Sequence, residues 1–261
     1  MSPAFRPDFT GKVALVTGAS RGVGRALAIA LAEAGADVAC AARATDAAPV
    51  KLPGTIDETV REIQARARRG VAVPTDLSRP GEPEAMVARA LDAFGRLDIL
   101  VNNAAITFDG DLALPIKRWD LVMEVNLRAP LLAMRAALPA MKASGAGKIL
   151  NISSAAAVLP IRRMLVYGVS KAALERLTTG AAQELAPAGI AVNCLRIDVP
   201  IASEGFVYNT PGLDHSEWEP TEVGAEAALW MLAQPPGHTG QVTGIMDLRR
   251  LYGVAESRIA R

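Results

Sequence analysis

The chain has 261 residues, 51% hydrophobic and 21% charged, which is the composition of an ordinary globular protein large enough for a sizeable core. Lys and Arg number 28 against 27 Asp and Glu, so the formal net charge of +1 gives no electrostatic case for a nucleic-acid or membrane partner. No apolar run approaches about 18 residues, so no membrane-spanning helix is predicted.

Strand-like and helix-like segments alternate from residue 12 almost to the C-terminal end. The expected strands cover residues 12–17, 37–42, 71–74, 97–102, 148–153, 190–195 and, more weakly, 241–247. The expected helices cover residues 25–34, 55–69, 82–94, 117–141, 166–185 and 221–232. In the longest of these, Pro130 and Pro139 predict a bend or a break.

This alternation predicts an α/β fold, with seven parallel strands in one sheet and helices on both faces. No long linker interrupts the pattern, so we expect a single domain over residues 1–261. Residues 199–220 form the longest irregular stretch. Ligands of such sheets bind beyond the carboxyl ends of the strands, where long loops cover them, so this stretch is the expected substrate loop; a plain surface loop is the alternative.

The cysteines and histidines are few and scattered. Cys40 and Cys194 lie in predicted strands outside any CxxC or Cys/His cluster, and we expect core residues rather than a disulfide. His215 and His238 lie near turn-forming residues, so no metal site is predicted. This cysteine usage, and an N-terminus without a secretory signal pattern, favour a cytoplasmic location.

A glycine-rich turn, residues 17–24 (TGASRGVG), directly follows the first strand and opens the first helix. Glycines permit a tight turn and close approach of the backbone to a pyrophosphate, and the helix N-terminus adds free N–H groups and a favourable dipole. A glycine-rich turn alone is weak evidence, but its strand–turn–helix context indicates a dinucleotide site. The turn residues expected to bind the cofactor are Gly18, Ser20, Arg21, Gly22, Val23 and Gly24.

The second strand ends in Ala41-Ala42-Arg43, without the carboxylate that would bind a free ribose 2′-OH. Arg43 and Arg21 can instead clamp a 2′-phosphate, which favours NADP(H) over NAD(H). The alternative is that both arginines are solvated, and Lys51 is a weaker third candidate. The remaining contacts expected from the ends of the third and fourth strands are Asp76, Leu77, Asn103 and Ala104.

Tyr167 and Lys171 are four residues apart and share one face of a predicted helix. A nearby ammonium stabilises tyrosinate and should lower the phenol pKa, making it usable as an acid or base. Ser154 closes the preceding strand and can hydrogen-bond a carbonyl or alkoxide oxygen. Alone, a Tyr-x3-Lys pair is common in proteins of every kind.

Together, these motifs resemble those of the short-chain dehydrogenase/reductase family. The similar segments are TGASRGVG at 17–24, NNAA at 102–105, VNL at 125–127, NISS at 151–154 and YGVSK at 167–171. The resemblance implies a Rossmann fold and a catalytic tetrad of Asn126, Ser154, Tyr167 and Lys171. It implies that Asn126 holds a water near Lys171, that Ser154 positions the substrate oxygen, that Tyr167 exchanges its proton, and that Lys171 also binds the nicotinamide ribose.

Two departures from the family pattern matter for the site. Most members carry Pro-Gly after the sixth strand, where this chain has Ile197-Asp198 followed by Val199; Ile197 and Val199 are the expected nicotinamide contacts. Asp198 could face solvent, cap the next helix or reach the substrate pocket. The insertion at residues 51–56 (KLPGTI) is similar to a block in hydroxysteroid dehydrogenase-like and citronellol-type dehydrogenases, which points loosely to aliphatic, terpenoid or acyl-type substrates.

The resulting expectation is an NADP(H)-dependent oxidoreductase that interconverts a hydrophobic carbonyl with a primary or secondary alcohol. The expected substrate-binding residues are Ser154, Ala156, Leu159, Tyr167 and Phe206. A reductase of acyl thioesters, C=N or C=C bonds is the first alternative, and a catalytically dormant nucleotide sensor is the second. The resemblance also implies a homotetramer or dimer through the helices at 117–141 and 166–185, although a core-facing surface explains their apolar residues equally well.

Overall fold

The computed structural model describes residues 5–259, so residues 1–4 and 260–261 of the expected domain lie outside the described part. Within residues 5–259, seven parallel strands form one sheet in the order β3-β2-β1-β4-β5-β6-β7. The strands are β1 (Val13–Thr17), β2 (Asp37–Ala42), β3 (Gly70–Pro74), β4 (Ile99–Asn102), β5 (Gly147–Ser154), β6 (Ile190–Ile197) and β7 (Val242–Gly244). The predicted α/β sheet is therefore confirmed.

The helices connect consecutive strands and cover both faces of the sheet. They are α1 (Gly22–Glu33), α2 (Ile56–Gln64), α3 (Glu82–Phe94), α4 (Ile116–Met123), α5 (Ala129–Ala143), α6 (Leu165–Leu185), α7 (Glu204–Asn209), α8 (Thr221–Ala233) and α9 (Ile245–Tyr252). Alternate residues of the strands feed two apolar cores. Ala14 and Val16 of β1 pack in one core with α1 and α8, while Val13 and Leu15 pack in the other with α3 and α5.

The strand order reverses beside β1, which lies between β2 and β4. Loops leaving the carboxyl ends of β1 and β4 run to opposite sides at this point, and the crevice between them is where such sheets bind ligands. The sheet therefore places the glycine-rich turn after β1 beside the Asn102-Asn103 segment after β4. Both cysteines are buried and unbonded in the sheet, as expected of core residues.

Several boundaries differ from the predicted ones. The long helix is interrupted by a π-helical turn, Glu124–Arg128, rather than broken at a proline. Pro130 lies just after this π-helical turn and Pro139 lies inside α5, so the helix accommodates both prolines without breaking. The helix predicted to reach residue 69 ends at Gln64.

The segments that follow β6 also differ from prediction. The expected strand at 241–247 is only three residues long and runs directly into α9, which was not predicted. The irregular stretch at 199–220 contains α7 and is pinned at its base. There, Ala202 N–H donates to the Glu219 carbonyl at 2.8 Å, and Glu219 N–H donates to the Pro200 carbonyl at 2.9 Å. The stretch is therefore a flap with a fixed base rather than a free loop.

Candidate active site

A cleft of about 770 Å³ opens at the carboxyl ends of β1, β4 and β5. Every residue expected to contact the cofactor lines it, from the glycine-rich turn at one end to Ile197 and Val199 at the other. Ser154, Tyr167 and Lys171 line the same cleft. The structure thus brings into one space groups that lie about 180 residues apart in the sequence, from Gly18 to Val199.

The glycine-rich turn is held against the end of β4. Thr17 Oγ1 accepts hydrogen bonds from the N–H groups of Asn103 and Ala104, both at 3.0 Å, and Asn103 Nδ2 donates to the Thr17 carbonyl at 2.8 Å. Gly18 has a φ of +69°, and a Cβ there would lie 2.8 Å from Asn103 Nδ2. Glycine is therefore required at residue 18 both by its backbone conformation and by the close approach of the β4 segment.

The N-terminus of α1 is built to receive an anion. Gly22 N–H, at the first turn of α1, donates to Glu204 Oε2 at 2.8 Å. A carboxylate oxygen from α7 therefore lies where the free N–H groups and the helix dipole favour negative charge. Because this backbone already accommodates an anionic oxygen, the turn fits the pyrophosphate of a dinucleotide.

The side chains expected to be catalytic come from β5 and α6. Lys171 is 2% exposed, its Nζ donates to the Ile152 carbonyl at 2.7 Å, and it lies 5.6 Å from the centre of the Tyr167 ring. Ser154 ends β5, and its Oγ accepts from Ala156 N–H at 3.3 Å. The helical spacing of four residues sets Tyr167 and Lys171 together, and the end of β5 supplies the hydroxyl and carbonyl that face them.

Burial controls the ionisation of both groups. It raises the pKa of Tyr167 to about 12, although a hydrogen bond with Ser154 acts in the opposite direction. It lowers the pKa of Lys171 to about 8, and the negative charge of Glu175 acts in the opposite direction. The expected lowering of the phenol pKa by Lys171 is therefore wrong for this state, because the cost of burying a phenolate dominates. At neutral pH the phenol is protonated, which is the form that donates a proton.

Asn126 lies in the π-helical turn and is fully buried beneath the cleft. Its Oδ1 accepts from Ile106 N–H at 2.9 Å, and its Nδ2 donates to the Ile106 carbonyl at 2.9 Å and to Ser170 Oγ at 3.1 Å. Ser170 Oγ in turn donates to the Tyr167 carbonyl at 2.7 Å. The amide therefore ties the segment after β4 to the catalytic helix; its expected role in holding a water stays a prediction.

Comparison with known proteins agrees with this geometry. The family model described as short chain dehydrogenase matches residues 12–199. The chain belongs to the short-chain dehydrogenase/reductase family. It is 34% identical over 255 residues to hydroxysteroid dehydrogenase-like protein 2 of Xenopus tropicalis, covering 95% of this chain and 60% of that protein. It therefore spans somewhat less than two thirds of that relative's length.

Two further comparisons cover nearly the whole of both chains. An uncharacterised oxidoreductase of Staphylococcus aureus is 31% identical over 227 residues, which are 87% of this chain and 93% of that protein. A solved structure from Xanthomonas campestris, provisionally described as a dehydrogenase, superposes with a TM-score of 0.84 at 32% identity, covering 96% and 92% of the two chains.

Arg21, one of the two arginines expected to bind a 2′-phosphate, is already hydrogen-bonded to backbone carbonyls. Arg21 Nε donates to the Pro53 carbonyl at 2.8 Å, and its NH2 group donates to the carbonyls of Leu52 and Gly54, both at 3.0 Å. Arg21 therefore holds the insertion in place rather than standing free as a clamp. Arg43 is exposed at the end of β2 and lines the cleft. Burial lowers the pKa of Arg21, and the charge of Arg43 lowers it further.

The insertion and the flap meet over the cleft. Lys51 Nζ lies 4.9 Å above the centre of the Tyr208 ring of α7, a cation–π contact. On the other side of α7, the rings of Phe206 and Trp218 lie 5.6 Å apart. Together with the Glu204 contact, these contacts hold α7 over the glycine-rich turn, so α7 and the insertion cover this end of the cleft.

Asp198, which stands where most members have glycine, caps a helix. Its Oδ1 accepts from Met246 N–H at 3.1 Å, in the first turn of α9. The next helix, α7, is capped by Ser203, so the alternative in which Asp198 caps that helix is wrong. Asp198 caps α9 instead and also lines the cleft. A Cβ on Gly244 would collide with the Asp198 carboxylate, so the two residues fit only as a pair.

Only part of the expected substrate-binding set faces the cleft. Ser154, Tyr167 and Phe206 line it, whereas Ala156 and Leu159 do not. Ala156 lies beneath Ser154, with its carbonyl packed against Gly168, and Leu159 is 57% exposed. Side chains that line the cleft and that sequence reasoning missed are Ile106, Leu121, Ile161 and Trp218. No local motif marks them, because they reach the cleft from four separate segments.

Two other features bear on function. Among the helices of residues 5–259, none is long and apolar enough to cross a membrane. Over the same residues, no group of three or more His, Cys, Asp or Glu side chains is arranged to hold a metal ion.

Proposed function

We propose that this protein is an NADP(H)-dependent oxidoreductase that interconverts a hydrophobic carbonyl compound with a primary or secondary alcohol. The observation that carries the proposal is the convergence of Ser154, Tyr167 and Lys171 in one cleft with the glycine-rich turn. Apolar side chains that line the same cleft as Tyr167, including Ile106, Leu121 and Phe206, support a hydrophobic substrate.

The bound nicotinamide supplies or accepts the hydride. In carbonyl reduction, the Tyr167 phenol donates its proton to the carbonyl oxygen, which Ser154 Oγ orients by a hydrogen bond. Lys171, protonated and buried beside the ring, stabilises the tyrosinate that is left behind. In alcohol oxidation the same groups act in reverse, with Tyr167 receiving the proton.

The preference for NADP(H) rests on Arg43. This exposed guanidinium at the end of β2 lines the cleft, and no carboxylate follows it at the strand end where a 2′-OH would be bound. A guanidinium–phosphate bond contributes roughly 1.5–3 kcal/mol, so we expect Arg43→Asp to weaken NADPH binding by about 10- to 100-fold and to leave NADH binding nearly unchanged. An unaltered NADPH-over-NADH preference would reject the assignment. Lys142→Asp, at an exposed cation near the end of α5, is the control.

Turnover of a panel of carbonyl and alcohol compounds with both cofactors tests the reaction itself. We expect Tyr167→Phe to lower kcat by about 10²- to 10⁴-fold while NADPH still binds, because only the proton donor is lost. Tyr252→Phe, at an exposed tyrosine of α9, should be silent. Activity that survives Tyr167→Phe would overturn the catalytic assignment, activity confined to thioesters, C=N or C=C bonds would favour the other reductase class, and NADPH binding without any turnover would indicate a sensor.

We also propose a homotetramer or homodimer that pairs through α4, α5 and α6. Its support is a set of exposed apolar side chains on these helices: Ile116, Leu131, Leu165 and Val169. Exposed apolar residues on neighbouring helices are typical of protein–protein contacts. A monomer in size-exclusion chromatography with light scattering would reject the proposal.

A further inference from the structure

A partly buried charge pair lies one helical turn beyond Lys171. Glu175, on α6, accepts from Arg196 Nε at 2.8 Å and from an Arg196 NH2 group at 2.6 Å, which is a two-point contact with β6. The Glu175 side chain is 12% exposed and the Arg196 side chain is 22% exposed. Two-point guanidinium–carboxylate contacts fix orientation as well as charge, so the pair joins α6 firmly to the end of β6.

The same carboxylate also reaches β5. Ser153 Oγ donates to Glu175 Oε1 at 2.7 Å, and Ser153 stands opposite Arg196 in the β5–β6 register. The residue before it, Ile152, supplies the carbonyl that accepts from Lys171 Nζ, and the residue after it is Ser154. Glu175 therefore fixes Ser153. This residue lies between Ile152, whose carbonyl binds Lys171, and Ser154, which is expected to orient the substrate.

We propose that Glu175 and Arg196 are positioning residues for the Tyr167–Lys171 pair, fixing the end of β5 and setting the charge balance around the Lys171 ammonium. This rests on the proposed function, since Lys171 is taken as the partner of a catalytic tyrosine. Neither residue contacts the space expected for substrate, and neither lines the cleft. Both therefore act through Lys171 and Ser153.

The charged and titratable groups around Lys171 come from two elements. Its own helix supplies Tyr167 and Glu175, and β6 supplies Cys194. Arg196 of β6 is hydrogen-bonded to Glu175 rather than to Lys171, and Asp198 acts on Arg196 from the strand end. Burial raises the pKa of Cys194 to about 12, so this thiol is neutral at physiological pH. The negative charge of Glu175 favours the protonated ammonium, and the positive charge of Arg196 opposes it.

The two members of the pair can be neutralised separately, and the expected effects have opposite signs. Glu175→Gln removes the negative charge, so the titration midpoint of Lys171 should fall by on the order of one pH unit. Arg196→Gln removes the positive charge, so the midpoint should rise by a similar amount. A pair that only braces the fold would lower Tm in both variants without moving the midpoint in opposite directions.

The measurement does not need a substrate. The chain has six lysines, so protein labelled with ¹³C at lysine Cε gives few NMR signals, and Lys171→Met identifies the one of interest. The wild-type midpoint is expected near 8, below the value of about 10.4 for an exposed lysine. Glu33→Gln, which breaks an exposed pair with Arg66, is the matched control and should leave the midpoint of Lys171 unchanged.

A lower Lys171 midpoint in Glu175→Gln, or a higher one in Arg196→Gln, supports the proposal, so one folded variant is enough for the test. The double variant Glu175→Gln/Arg196→Gln should return the midpoint close to wild type. Midpoints that stay within about 0.2 pH units of wild type in both single variants, or shift in the same direction, overturn the proposal. If no carbonyl or alcohol compound is turned over but the midpoints shift as expected, the proposed function fails and the charge pair stands. Turnover with unmoved midpoints would support the proposed function and reject the positioning role of the pair.

Discussion

Glu204 occupies a place that a bound dinucleotide needs. Its carboxylate accepts a hydrogen bond from Gly22 N–H in the first turn of α1. Its negative charge also favours the protonated form of Arg21, the residue just before this helix. A pyrophosphate that approaches this helix N-terminus meets a negative charge that must withdraw with α7. We therefore expect Glu204→Gln, which keeps the side-chain shape but removes the charge, to bind NADPH more tightly than the wild type.

The size of this effect follows from the exposure of Glu204. The side chain is exposed, so its charge is screened, and exposed charge pairs contribute about 0.2–1 kcal/mol. Because each 1.4 kcal/mol corresponds to roughly a tenfold change in Kd, neutralisation should tighten binding about 1.4- to fivefold at low salt. The gain should shrink as ionic strength rises, since the Debye length falls from about 30 Å at 0.01 M to about 10 Å at 0.1 M.

Titration of NADPH fluorescence against the two proteins, at low and moderate salt, measures the effect directly. Glu184→Gln, at an exposed carboxylate near the C-terminal end of α6, is the control and should leave the Kd for NADPH unchanged. Equal or weaker NADPH binding by Glu204→Gln at low salt would refute the competition between this carboxylate and the pyrophosphate. An equal gain in NADPH affinity in Glu204→Gln and Glu184→Gln would show that only the change in net charge matters.

Two further predictions concern stability and thiol chemistry. Gly244→Ala places a Cβ against the Asp198 carboxylate and removes the cap of α9, so we expect a loss of about 2 kcal/mol and a Tm lower by roughly 4–8 °C in calorimetry. Gly237→Ala, where no atom lies within 4 Å, should change Tm by about 1 °C or less, and equal effects would contradict the pairing. Cys40 and Cys194 are fully buried with pKa values raised to about 12, so Ellman's reagent at pH 8 should modify neither until denaturant is added; rapid reaction of the native protein would contradict their burial.

The catalytic side chains were predictable because they depend on short-range geometry. The spacing of Tyr167 and Lys171 fixes them on one helix face, and the glycines of the turn are required by backbone shape within a few residues. Parallel strands then bring the turn, the end of β4 and the end of β5 to the same edge of the sheet. A local pattern that lies at a strand end is therefore enough to place a group in the cleft.

The partners of Arg21 depend on long-range contacts and could not be predicted in this way. The carbonyls that it binds come from residues 52–54, more than 30 positions later, and backbone carbonyls carry no sequence signature. The same holds for the apolar lining, which four separate segments contribute. The pKa of Tyr167 also depended on burial, which spacing alone does not report.

The missed helix α9 did have a signal. Ile245 and Leu248 are fully buried at a spacing of three residues, and Gly253 ends the helix with a φ of +61°. What hid the helix was its start, because Gly244 contributes no capping side chain. The cap comes instead from Asp198, at the end of a different strand.

This remote cap explains how the chain accommodates its departure from the Pro-Gly pattern. Asp198 lies between Ile197 and Val199, the residues expected to contact the nicotinamide, and its carboxylate is held by the first turn of α9. Rigidity that proline would supply through its ring is supplied here by a hydrogen bond to another element. Because that bond requires glycine at position 244, the end of the cleft expected to hold the nicotinamide depends on a residue outside the cleft. We therefore expect Gly244→Ala to weaken NADPH binding as well as to lower Tm.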